Sequence, residues 1–379
     1  MMGIFVFSTF MIHVYMQFLG LPNGPIEFFL LPISIFLIIR YKIRFHRRDI
    51  FYSILFLIVC TLLGMISFPF TVIELIPTIR AFTIFLYTFL LFKNKPVWGI
   101  KDIHFLTLGS LIGTIFTSYF NIQNVADLEG ETGYITDTAV AAIAMFASSS
   151  LAINKGSIYK WICLIFAIVS SLAAFSRGIM LISIMSVLVA MFLEYNTSIR
   201  KSIRSIIIIS VVGVVSFFFY ISMEPFFEAT SHTMHARLYL KVRGEAVTGD
   251  DDRMDHYHYM IENADRYVFP RGFESYARNS EPMMFKEHRD IWMMGDCSIS
   301  EIFYTFGIFS IVLIAWYIVR IKNILVNYKR TPQSVVVATT AIVVLLSSPL
   351  GNSMFLRSYS VFFLGLMAAY LINPFNLKS

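Results

Sequence analysis

Residues 40–49 read RYKIRFHRRD, and residues 50–66 read IFYSILFLIVCTLLGMI. The first stretch is crowded with cations; the second carries no charged side chain over 17 residues. At about 1.5 Å rise per residue, such a run approaches the roughly 30 Å of hydrocarbon in a bilayer. Backbone groups there have no water to bond, and the run lacks the polar–apolar alternation of a barrel strand, so it reads as a helix. A basic loop followed by an apolar run is the pattern that decides the fold, because it recurs along the chain.

Working outward, twelve spans are expected: 2–20, 26–41, 50–66, 80–92, 102–120, 138–153, 159–175, 179–194, 205–222, 298–319, 335–349 and 356–373. The run at 80–92 is the shortest. The composition agrees: 57% of the 379 residues are hydrophobic and 14% charged, and the mean hydropathy is +0.70. Soluble globular chains do not reach these values. The net charge of +6 does not indicate nucleic-acid binding, since most of the excess lies in short loops, where it orients spans. With the N-terminus placed in the cytoplasm, about 18 of the 30 lysines and arginines fall on the inner side. They include Arg40 to Arg48, Lys93 to Lys101, Lys155 and Lys160, Arg200 to Arg204, Arg320 to Arg330 and Lys378. Both termini are then cytoplasmic. The first run lacks a basic leader and a cleavage site and reads as a retained span.

Three units follow: a bundle over 1–222, an extracytoplasmic loop over 223–297, and a bundle over 298–379. The loop is polar and carries five of the eight histidines. Loops of that length are usually covers or binding elements. Within it, Met254, Tyr257 and Ile261 are spaced as one face of a short amphipathic helix over 250–266, followed by a turn at Phe269-Pro270-Arg271-Gly272-Phe273.

Arginines then stand where positive charge is usually scarce. Arg80, Arg177 and Arg357 fall at outer span ends, and the loop adds Arg253 and Arg271. Arg177, in Phe175-Ser176-Arg177-Gly178, reads either as a side chain snorkelling to lipid phosphates or as a fixed phosphate ligand beside a helix N-terminus. A guanidinium suits the second role because its planar fork engages two phosphate oxygens. Arg80 and Arg357 read as headgroup anchors or as further ligands. Asp296, just before the tenth span, reads equally as a helix cap or as a partly desolvated general base, with His288 the competing base. The cysteines Cys60, Cys163 and Cys297 show no disulfide framework. The sequence contains no HExxH, Walker loop, GxSxG or CxxC pair, and no cofactor is expected.

Taken together, these positions resemble the O-antigen polymerase (Wzy) and O-antigen ligase superfamily of bacterial polysaccharide membrane proteins. The resemblance covers the layout of about twelve spans with one large late loop, and three local patterns. These are Ser176-Arg177-Gly178; Arg253 with Tyr257 followed by Phe269 to Phe273; and Asp296 with Gly307. The ligase pattern has His and Asn where this chain has Asp296 and Cys297. The resemblance implies an all-α polytopic membrane protein with a GT-C-like fold in the bacterial cytoplasmic membrane. It also implies metal-independent, inverting transfer of a glycan from an undecaprenyl-pyrophosphate donor to a sugar hydroxyl. Arg177 and Arg253 would bind the pyrophosphate. A chain-length regulator and a flippase would be partners. A polymerase leads, with a lipid-linked oligosaccharide flippase and a ligase as alternatives.

Overall fold

The computed structural model describes residues 35–67, 71–95, 97–125, 140–154, 156–172, 177–195, 268–273, 298–327, 331–348 and 358–378. Among the described residues the regular structure is helical, with one isolated bridge between Gly99 and Lys378 and no strand. In chain order the helices are α1 (Arg47–Ser67), α2 (Val72–Lys93), α3 (Ile100–Val125), α4 (Val140–Ile153) and α5 (Tyr159–Leu172). There follow α6 (Arg177–Tyr195), α7 (Ser298–Phe306), α8 (Phe309–Asn327), α9 (Pro332–Ser347) and α10 (Ser358–Ile372). Residues 35–41 are also helical. The expected spans at 2–20 and 205–222, most of 26–41, and the amphipathic helix over 250–266 lie outside the described residues.

The hub is α4. Its sequence VAAIAMFASSSLAI is buried from Val140 to Leu151, and α3, α5, α6, α9 and α10 all pack on it. Small side chains let those helices come close on every side. Its serines do not need outside partners: Ser148 Oγ donates to the Ala144 carbonyl at 2.6 Å and Ser150 Oγ to that of Phe146 at 2.6 Å. Ser150 Oγ also lies 3.3 Å from His104 Nδ1, and the His104 ring stacks on Phe146 at 5.0 Å. That buried polar contact fixes α3 against α4. Around the hub, α9 packs on α6, α8 and α10, while α10 lies along α2 and α2 against α1. The start of α9 is set locally, since Thr331 accepts a bond from Ser334 N and Pro332 occupies the first turn.

Among the described residues two helices, α1 and α8, are long and apolar enough to cross a membrane. Both expose large hydrophobic side chains, among them Phe51, Ile54, Ile58 and Ile66 on α1 and Val312 and Trp316 on α8.

Two expectations need correction. The short span at 80–92 is the second half of a 22-residue helix that runs through Pro77. Glu74 and Pro77 lower the apolar signal of its first half, yet neighbouring residues pack it: Leu75 is fully buried. Arg80 therefore lies not at a helix end but eight residues inside α2, about 12 Å from its start. The span at 298–319 is also not continuous. It breaks at Gly307, whose φ of +56° ends α7 and lets α8 begin at Phe309.

Candidate functional site

The break at Gly307 is where the loop enters the bundle. In an unbroken helix the carbonyls of Tyr304 and Thr305 would accept from the N–H groups of residues 308 and 309. Here they accept instead from Arg271 N at 3.2 Å and Gly272 N at 3.3 Å, while Ile308 N donates to the Val268 carbonyl at 3.0 Å. A piece of loop backbone thus replaces the hydrogen bonds that the helix gives up. Phe273 N completes the insertion by donating to the Cys60 carbonyl of α1 at 2.9 Å. Cys60 lies seven residues before the end of α1, about 10 Å in.

Glycine makes this depth accessible. A Cβ on Gly272, which has φ +79°, would sit 2.2 Å from the Cys60 carbonyl oxygen and 2.5 Å from Gly64 N. A Cβ on Gly307 would meet the Phe269 carbonyl carbon at 2.6 Å, and one on Gly64 would meet the Phe273 carbonyl oxygen at 2.3 Å. All four obstacles are backbone atoms, which cannot rotate away. The inserted end is then sealed by aromatic packing. Phe273 is fully buried, stacked on Phe82 of α2 at 4.7 Å and edge-on to Phe56 of α1 at 6.0 Å. Cys60, Leu75, Ile79 and Phe306 close the same cluster.

Arg271 is carried into this setting. It is half-buried, and its guanidinium carbon stands 5.9 Å from the centre of the Tyr304 ring. Its own N–H is the one bonded to the Tyr304 carbonyl, so backbone and side chain are held by the same residue. Arg80, also half-buried, lies on α2 between Ile79 and Phe82, both members of the cluster around Phe273. The structure therefore places these two of the expected arginines on elements that pack together. Arg271 is thus held both at its own backbone and against a ring.

Arg177 is the first residue of α6, which packs on α4, α5 and α9. Arg253, His288, Asp296 and Arg357 lie outside the described residues. Among the described residues no group of three or more His, Cys, Asp or Glu could hold a metal ion. Sequence reasoning missed Tyr304 and Gly64. Gly64 was detectable only as a small residue that lets neighbouring backbone come close to a membrane helix; Tyr304 offered no such sign.

The chain matches no protein-family model and no curated protein sequence.

Proposed function

We propose that this protein is a multi-span membrane glycosyltransferase, a repeat-unit polymerase that acts at the outer face of a bacterial cytoplasmic membrane. Its donor is an oligosaccharide on undecaprenyl pyrophosphate and its acceptor a sugar hydroxyl of a second lipid-linked repeat unit. The observation that carries the reading is the entry of Arg271 into the helix break beside α2. A half-buried guanidinium held at a break in an apolar bundle is a place where an anionic ligand would be met. The apolar exposed faces of α1 and α8 support placement in lipid.

In the proposed reaction the acceptor oxygen attacks the anomeric carbon of the donor sugar. The bond from that carbon to the pyrophosphate oxygen breaks, and undecaprenyl pyrophosphate leaves with the electron pair. Arg271 and Arg80, with Arg177, Arg253 and Arg357 contributed from elsewhere in the chain, offset the charge that develops there. Asp296 takes the acceptor proton, with His288 the other base within the same stretch.

Deleting the coding sequence tests this. Cells should accumulate single lipid-linked repeat units on the outer leaflet and lose long polymer. Polymer of normal length in the deletion strain overturns the reading, inner-leaflet accumulation points to a flippase, and normal polymer retained on its carrier points to a ligase.

A further inference from the structure

The surface beside Arg271 is apolar in a particular way. Val268 and Phe269 are 41% and 77% exposed, and Ile308 and Phe309 are 54% and 60% exposed. The two pairs are joined by the bond from Ile308 N to the Val268 carbonyl, so they form one patch rather than scattered side chains. From Phe309 the exposed surface continues on α8 through Val312 and Trp316, at spacings of three and seven that share one helix face. That stripe covers about 10 Å of helix. One end of the strip meets the segment that carries a cation; the rest is branched and aromatic.

We infer that this strip seats the hydrocarbon chain of an isoprenoid diphosphate, with its diphosphate at Arg271 and its chain running over Phe269 and Phe309 towards Trp316. This rests on the proposed action on a lipid pyrophosphate and adds where the lipid lies. Charge complementarity at one end and an apolar track leading from it fit an amphipathic ligand with one chain. The insertion closes the opposite side: behind Gly272 stand Cys60 and Gly64, leaving no room even for a methyl group. In lipid an apolar chain gains little simply by leaving other chains, so recognition would come from shape and from the anchored headgroup.

The test measures binding of undecaprenyl diphosphate, geranyl diphosphate and phosphatidylglycerol to the purified full-length protein. Phe309→Ser combined with Val312→Ser, both at exposed positions, should weaken undecaprenyl diphosphate about tenfold and leave geranyl diphosphate unchanged. Arg271→Gln should weaken both diphosphates. A photoreactive phenylalanine analogue in place of Phe269 should label the undecaprenyl chain, and excess phosphatidylglycerol should not prevent it. Equal competition by phosphatidylglycerol would make the strip an ordinary lipid contact. Undecaprenyl diphosphate binding that the double variant leaves intact overturns the chain path, even if the deletion strain behaves as a polymerase mutant. A native protein that binds no undecaprenyl diphosphate overturns both this inference and the proposed donor.

Discussion

Residues 373–378 and residues 268–273 both lie outside the α-helices and are both packed into the bundle, but they are held by opposite means. After α10 the chain satisfies its neighbours with polar groups. Asn376 Nδ2 donates to the Phe92 carbonyl at 3.2 Å and to that of Lys93, capping the end of α2. Lys378 N donates to the Trp98 carbonyl at 3.0 Å, and its own carbonyl accepts from Ile100 N at 2.9 Å. The loop segment is seated through its backbone. It exchanges backbone bonds with a broken helix and gains its depth from three glycines. The first arrangement closes one end of the bundle, bringing Lys378 to the Tyr41 ring and Lys95 to the Tyr41 and Lys42 carbonyls. The second carries a cation to a place where the surrounding packing is aliphatic and aromatic. One is a latch; the other is the segment proposed to deliver a functional group.

The most damaging way to break this contrast is to put a methyl group on Gly272. Gly272→Ala must accept both a left-handed φ and an overlap with the backbone of α1, together about 3 kcal/mol or more. Gly156 is the control: its φ is +80° but nothing lies within 4 Å of an added Cβ, so Gly156→Ala should cost only about 1–2 kcal/mol. Thermal unfolding of the two detergent-solubilised variants separates conformation from clamping. Equal melting temperatures would show that the close approach to Cys60 and Gly64 carries no weight.

Next in size is Arg271→Ala. If the loop segment delivers a cation, this variant should fold normally and lose polymer by roughly a hundredfold, as expected for removal of one preorganised charge partner. Lys378→Ala, which removes a cation from the other segment, should leave polymer length and amount unchanged. Chain-length profiles from complemented deletion strains measure both. A matching loss in the two variants would erase the distinction between latch and delivery.

A smaller effect sharpens the latch itself. Asn376→Ala leaves the Phe92 and Lys93 carbonyls without their side-chain donor and should lower stability by about 1–2 kcal/mol. Polymer should be retained at temperatures where the variant is folded. A melting temperature equal to that of the native protein would mean that the bridge at Gly99 holds this segment alone.

How far these features were legible differs between the two segments for a physical reason. Helices with sustained apolar runs were readable: α1, α4 and α6 lie close to the expected 50–66, 138–153 and 179–194, because burial and length leave a continuous signal. What failed was local. Pro77 and Glu74 concealed the first half of α2, and Gly307 was visible as a residue but not as a break, since a single glycine is tolerated in many helices. Residues 269–273 were readable as a turn, and Arg271 as a candidate, but their depth was not. The partner carbonyls of Tyr304 and Thr305 are freed only by tertiary structure, and backbone groups leave no mark in composition. Likewise the packing of α2, which carries Arg80, beside this segment depends on Phe82 stacking against Phe273, a contact between residues far apart in the chain.

The smallest expected effect concerns the charged end, where Lys93 Nζ lies 3.0 Å from Asp49 Oδ2. Both side chains retain partial exposure, 27% and 23%, so water screens the pair and its contribution should be no more than about 1 kcal/mol. Lys93 also stands 5.6 Å from the Phe89 ring, and Lys93→Met would keep the apolar stem over that ring while removing the charge. Asp49→Asn should therefore shift the melting temperature slightly and Lys93→Met no further, with both shifts shrinking in concentrated salt. A large shift that salt does not reduce would mean that the pair is sequestered from solvent and that this end is held by charge as much as by the bonds of Asn376 and Lys378.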